Sequence, residues 1–222
     1  MKFLTIDSST KKLLISAVNE NSKVGMILDN AGKHGKLLAP AIKDILEYVE
    51  LDVKDLDFLG CGIGPGSLTG LRVGISTMKG LSLPWKKQIA VFSSLDIISR
   101  AAGVNGNHAV LRKGRKGFFY WQKYDRSDRV GDTEFNSTEE LHSSLEKDLT
   151  LVFENDKDAS AFEEYRTIIS PEPSLEILTT ITANNYYAKK LVNAMELKPL
   201  YMQKSIAEIN WEKKHGENND SL

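Results

Sequence analysis

Apolar positions along the chain recur at two different spacings, and the switch between them divides it into elements. Residues 2 to 7, 13 to 19 and 24 to 29 are short apolar or alternating runs between polar turns, which predicts three strands of an antiparallel meander at the edge of a mixed sheet. After Gly35 the period lengthens. Leu37, Leu38, Ala41, Ile42, Ile45, Leu46 and Val49 recur at three- and four-residue steps, predicting one apolar stripe on a helix of about four turns, with Lys36, Lys43, Asp44, Glu47 and Glu50 on the remaining surface. A buried strand over 57 to 63, a helix from about Thr69 to Leu83 ended by Pro84, a short strand over 89 to 91 and a helix from Ser94 to Ala102 complete a first lobe. Ser93 or Ser94 suits the cap of that last helix.

Gly103-Val104-Asn105-Gly106-Asn107 collects turn-forming residues between a finished helix and a new strand, so the lobe boundary is expected there. This gives a first lobe over 1 to 103, a smaller second lobe over 104 to 203 and a polar tail over 204 to 222. In the second lobe, His108 to Arg112 and Gly117 to Tyr124 read as a hairpin turned by Lys113-Gly114-Arg115-Lys116. Helices follow near Thr138 to Leu145 and Asn184 to Met195, with weaker strands over 149 to 153 and 166 to 169. The strand-turn-strand opening at 2 to 19 has a possible structural echo at 108 to 124. In the tail, the apolar-spotted segment 205 to 211 suits either docking on a neighbouring subunit or a terminal helix on its own lobe.

With 222 residues and 41% hydrophobic content the chain is globular and long enough for a substantial core. Its formal net charge of -1 gives no overall field for nucleic acid or an anionic membrane, so any such contact rests on a local patch. Cys61, the one cysteine, excludes an internal disulfide and reads as a buried, inert thiol. The first residues lack the apolar core and cleavage site of a secretory signal, and no segment reaches membrane-spanning length. A cytoplasmic location without membrane contact is the expectation.

Two segments carry candidate chemistry. Gly64-Pro65-Gly66-Ser67-Leu68-Thr69-Gly70-Leu71-Arg72-Val73-Gly74 is a glycine loop between a strand and a helix, a geometry that leaves backbone N–H groups free for an anion or a close partner backbone. It matches neither the P-loop nor the dinucleotide spacing, and plain turn formation explains it as well. Asp7-Ser8-Ser9-Thr10 places short hydroxyls beside an acid at a strand turn; such a turn can hold a metal-bound phosphate, and also forms ordinary hairpins. A third feature is the run Arg112, Lys113, Arg115 and Lys116 before Phe118, Phe119, Tyr120, Trp121 and Tyr124. It suits either a tRNA backbone contact or the two faces of one strand. His34, His108, His142 and His215 are too scattered to form a metal pair, so no metal site is expected.

Asp7-Ser8-Ser9, Asp55-Leu56-Asp57, the whole glycine loop, Ser93-Ser94-Leu95 and Pro199-Leu200-Tyr201 resemble, in order and spacing, the TsaB (YeaZ) family. The likeness is dense to about residue 102 and thin beyond. It implies an α/β fold of the actin, Hsp70 and sugar-kinase type (ribonuclease H-like), with two lobes, mixed sheets and a reduced second lobe. It further implies a non-catalytic companion of TsaD in making N6-threonylcarbamoyladenosine at position 37 of tRNA, working with the ATPase TsaE and pairing with itself when TsaD is absent. On that likeness Leu37, Leu38, Ala41, Ile42, Ile45, Leu46, Leu71 and Met78 are candidates for the partner interface; periodicity alone suits the chain's own core equally. Gly64, Pro65, Gly66, Ser67, Thr69, Gly70 and Arg72 are the family loop, and Asp7 to Thr10 a vestigial phosphate turn. No cofactor is expected in the isolated chain, while ATP or ADP at the joint between subunits fits the family. Leu111-Arg112-Lys113 replaces the Asp-Ala-Arg that many members carry at the end of this strand, which removes the ground for any role of that acid here. The alternative from another class is an actin-fold, ATP-dependent small-molecule kinase using Asp7 and the glycine loop. A peptidase ranks last, because no nucleophile–base pair is visible.

Overall fold

A computed structural model describes residues 1–20, 22–29 and 34–202. The expected tail from 204, with its 205 to 211 segment, lies outside the described residues. In chain order the elements are β1 (Lys2–Asp7), β2 (Lys12–Asn19), β3 (Ser22–Asp29), α1 (His34–Tyr48), β4 (Phe58–Gly62), α2 (Leu68–Ser82), β5 (Ile89–Phe92), α3 (Ser94–Ala102), β6 (Asn107–Lys113), β7 (Phe118–Asp125), β8 (Asp128–Ser137), α4 (Thr138–Ser144), β9 (Thr150–Phe153), α5 (Asp156–Ala159), β10 (Thr167–Ile169), α6 (Leu175–Tyr187) and β11 (Leu191–Val192).

The strands form two mixed sheets, ordered β11-β5-β4-β1-β2-β3 and β10-β9-β6-β7-β8. Each begins with an antiparallel meander, β1-β2-β3 or β6-β7-β8, and then adds parallel strands beside its first strand. The echo expected between 2 to 19 and 108 to 124 therefore extends to the whole plan of both lobes, and the two-lobe α/β architecture stands as expected. Because β1, β4 and β5 run parallel, their C-terminal ends emerge at one edge, where α/β sheets place their ligand sites. β6 and β9 do the same in the second sheet.

Helix α1 forms because its apolar residues share one stripe, and that stripe faces the sheet. Leu38, Ala41, Ile42, Ile45, Leu46 and Val49 join Leu71, Ile75 and Met78 of α2 in one core with Leu4, Ile6, Leu13 and Ile15 of the sheet. On the opposite face α6 supplies Leu178 and Ile181 against Leu14, Phe92 and Ile97. At Gly60 of β4 an added Cβ would lie 2.4 Å from Thr182 of α6 and 2.5 Å from Thr5, so the helix approaches this closely only over glycine.

Three expectations are corrected here. Residues 104 to 203 are not one second lobe: α6 packs on the first sheet and β11 pairs antiparallel with β5, so the chain returns to the first lobe after β10. The late helix spans Leu175–Tyr187 rather than Asn184 to Met195. The third strand of the second meander, β8, had no sequence signal because it is an edge strand with a largely exposed, polar sequence.

Candidate functional site

The C-terminal ends of β1, β4 and β5 deliver Asp7-Ser8-Ser9, Gly64-Pro65-Gly66 and Ser93-Ser94 to one place, and β6 and β9 bring Arg112 and Glu154 to it from the other lobe. Of these, Asp7, Ser9, Gly66, Ser94, Arg112 and Glu154 border an open cleft of about 1370 Å³ between the lobes, whose walls also include Thr10, Ser67, Arg72, Ile97 and Tyr201.

The two segments singled out in the first lobe are partners of each other. Ser67 N donates to Ser9 O at 2.6 Å, and the Ser8 hydroxyl donates to Gly70 O at 2.9 Å. A Cβ at Gly66 would stand 2.2 Å from Ser9 O, and one at Gly74 would stand 2.1 Å from Ser8 Oγ. The glycines are thus required by the close approach of the hydroxyl turn. Asp7 is buried, lies against Gly62 and accepts from Ser9 N at 2.7 Å. Ser67 caps α2, its hydroxyl accepting from Gly70 N, while Thr69 and Arg72 are exposed, Arg72 on the cleft wall. Gly64 O receives both Ser94 N and the Ser93 hydroxyl, tying the loop to the capped start of α3.

Arg112 departs furthest from expectation. Its side chain is only 7% exposed, so the residue offered as a tRNA contact is sealed in the junction. Its Nε and Nη2 donate to the two carboxylate oxygens of Glu154 at 2.7 and 2.9 Å, while Nη1 donates to Ser9 Oγ at 3.1 Å and Pro65 O at 2.6 Å. A planar guanidinium can make this fork and reach a second lobe at once; an ammonium cannot. Burial works against its charge, but Glu154 and then Asp7 hold it, and the net pull on its pKa is upward. The other three basic residues are disposed differently. Lys113 pairs with Asp158 at 3.1 Å, Arg115 lies over the Phe118 ring at 4.2 Å, and Lys116 is exposed. The aromatic run follows strand alternation, with Phe119 against Phe153 and Phe162 on one face and Tyr120 against Phe135 on the other.

The proposed interface residues are also corrected. Leu38, Ala41, Ile42, Ile45, Leu46, Leu71 and Met78 are all buried in the core of the first lobe, and only Leu37 is partly exposed. The stripe is taken up by the chain's own sheet, leaving Lys36, Lys43, Asp44, Glu47 and Tyr48 of α1 outside. Glu154 carried no sequence expectation; the signal available was an acid just past the weak strand expected over 149 to 153. Of the two serines offered as the α3 cap, Ser93 is the cap, and Ser94 Oγ is buried without a hydrogen-bond partner. Among the described residues no group of three His, Cys, Asp or Glu side chains is placed to hold a metal ion.

A family model described as "TsaD: tRNA N6-adenosine threonylcarbamoyltransferase" matches residues 22–177. The tRNA threonylcarbamoyladenosine biosynthesis protein TsaB of Escherichia coli K12 is 30% identical over 131 residues, a match spanning 58% of this chain and only 57% of that relative. The protein of the same name from Haemophilus influenzae is 22% identical over 242 residues, covering 97% of this chain and 98% of its own length. Among solved structures, a Pseudomonas aeruginosa protein described as similar to peptidase YEAZ superposes with a TM-score of 0.77 at 20% identity, covering 91% of this chain and 99% of the other. A second, described as YeaZ from the same organism, gives 0.76 at 20% identity over 90% and 99%. At that identity the structures speak for a shared fold.

Proposed function

Because the chain belongs to the TsaB (YeaZ) family, within the wider TsaD family, we propose that it is a non-catalytic accessory subunit for forming N6-threonylcarbamoyladenosine on tRNA. Its partner in this reading is a TsaD-type subunit, with TsaE joining the pair. The observation that carries the reading is the internal engagement of the groups at the strand ends. Ser8 is bonded to Gly70, Ser9 to Arg112 and Arg112 to Glu154, so the hydroxyls and the cation that would serve a substrate already serve the fold. A kinase would need these groups free to meet phosphate oxygens.

With the α1 stripe buried, the partner surface falls on what α1 and α2 leave outside. Tyr48 is 71% exposed at the end of α1, and Leu83 and Trp85 just beyond α2 are 54% and 52% exposed. Large apolar side chains left out of a well-formed core are the usual anchors of a protein interface. In the absence of TsaD the same residues favour pairing of two copies of this chain. ATP or ADP, where the assembly takes one up, is held at the joint between subunits. Lys113, Arg115 and Lys116 are exposed, and they are the members of the basic run left for a weak tRNA contact.

The test is reconstitution with a cognate TsaD and TsaE. The expected result is co-elution with TsaD in gel filtration and tRNA modification that requires both chains. Threonylcarbamoyladenosine formed by this chain alone, or separate elution of the two proteins, would remove the proposal.

A further inference from the structure

Two-lobe folds of this kind commonly hold a magnesium nucleotide where the strand ends meet, and the residues at that place here do not fit one. Asp7, the buried acid at the end of β1, borders the cleft and has the Arg112 guanidinium within electrostatic reach. Arg112 comes from β6 of the second lobe and makes hydrogen bonds to Ser9 and Pro65 of the first, while Glu154 of the second lobe grips its other edge. A divalent ion on Asp7 would therefore meet a buried positive charge, and phosphate oxygens would compete with Glu154 for the guanidinium. Other ties between the lobes run along α3, where Leu95 and Ile98 pack with Val110, Tyr124 and Val152, Arg129 pairs with Asp96 at 3.3 Å and the Ser170 hydroxyl donates to Ile98 O at 3.3 Å. There His108 contacts the Ser99 hydroxyl of α3 at 2.8 Å, and Tyr124 OH donates to Asp96 at 2.8 Å.

We propose that Arg112 is an internal replacement for the metal ion and nucleotide of this fold: its guanidinium joins the lobes across the cleft, balances Asp7 and Glu154, and closes the strand-end position to magnesium nucleotides. The lobes thereby hold one relative position without a ligand, which suits a subunit that presents a fixed surface.

Thermal unfolding and calorimetry on the full chain test this. The wild type is expected to unfold at the same midpoint in EDTA and in millimolar magnesium, and to give no heat with magnesium ATP. Arg112→Met keeps the bulk and removes the charge; its midpoint falls by roughly 5 °C, since Ser9 Oγ and Pro65 O lose a buried donor while Glu154, at 35% exposure, keeps access to water. Magnesium then restores part of that loss, because Asp7 and Glu154 are left without a cation, and adding Asp7→Asn abolishes the restoration. Hydrogen exchange in Arg112→Met rises at Gly64, Gly66, Ser67 and residues 93 to 95 and stays unchanged at 41 to 46, a pattern that general destabilisation would not produce. Arg112→Lys, which keeps the charge and is the variant to rely on if Arg112→Met does not fold, gives an intermediate midpoint with no magnesium response. Magnesium-ATP heat or a magnesium-raised midpoint in the wild type overturns the proposal. So does an Arg112→Met or Arg112→Lys midpoint equal to that of the wild type, or an Arg112→Met loss that magnesium leaves untouched.

Discussion

Replacing Gly66 by alanine separates two physical effects of opposite sign. On the unfolded chain alone, glycine to alanine is favourable by about 0.4–1 kcal/mol, because fewer backbone states are lost on folding. Gly66 has no left-handed backbone angle that would oppose the change. In the folded chain, however, the new methyl would sit 2.2 Å from Ser9 O and 2.8 Å from Ser9 Cβ, against ordinary contacts well above 3 Å. Either the loop or the turn must move by about an ångström, and Ser9 O is the acceptor of the 2.6 Å bond from Ser67 N. The same shift pulls Ser9 and Pro65 away from Arg112. One buried backbone bond and weakened contacts to a charge sum to roughly 3–5 kcal/mol of lost stability after the entropic gain is subtracted. Gly80, inside helix α2, is the internal control. A Cβ there meets nothing within 4 Å, so Gly80→Ala is expected to stabilise by about 0.5–1 kcal/mol. Urea unfolding followed by far-ultraviolet circular dichroism measures both. A Gly66→Ala midpoint at or above that of the wild type would refute the packing argument, because only the unfolded-state term would then remain.

Three further outcomes follow from the same structure. Leu38→Ala should cost about 2–5 kcal/mol by urea unfolding, as for any sealed core leucine, whereas Tyr48→Ala should change stability by under about 1 kcal/mol and weaken TsaD binding in a pull-down. His108 is held below its ordinary pKa chiefly by burial, with its Gly106 O contact and Asp125 opposing that shift. Between that lowered value and 6.5 the unfolded chain binds more protons than the folded one, so the contribution is full above pH 6.5 and declines as pH falls through the window. Urea midpoints across that range should show the decline, and His108→Asn should flatten it. Burial, followed by Asp7, pushes the Cys61 thiol far above its usual range, so a thiol reagent at neutral pH should label the chain only after denaturant is added.

Spacing in the sequence was enough to define β1 to β3, the amphipathic α1, the glycine loop opening α2 and the Ser93-capped α3, because each is written in contiguous residues as a period, a cap or a turn. The hydroxyl turn and the glycine loop were likewise visible as two special segments. Their mutual contact was not, since it joins residues some sixty positions apart. A stripe such as Leu38 to Leu46 reads the same whether it covers a sheet or a partner; the face available for it in the folded chain decided that it is core. Charge has the same ambiguity, and Arg112 passed for part of a surface patch until β6 and β9 ran parallel and brought Glu154 beside it. The return of α6 and β11 to the first sheet, too, leaves no local mark, because which sheet a helix joins depends on complementary surfaces such as Gly60 facing Thr182. Local periodicity determines what an element is; the long-range fit of backbones and charges determines what it touches, and that fit exists only once the chain has closed on itself.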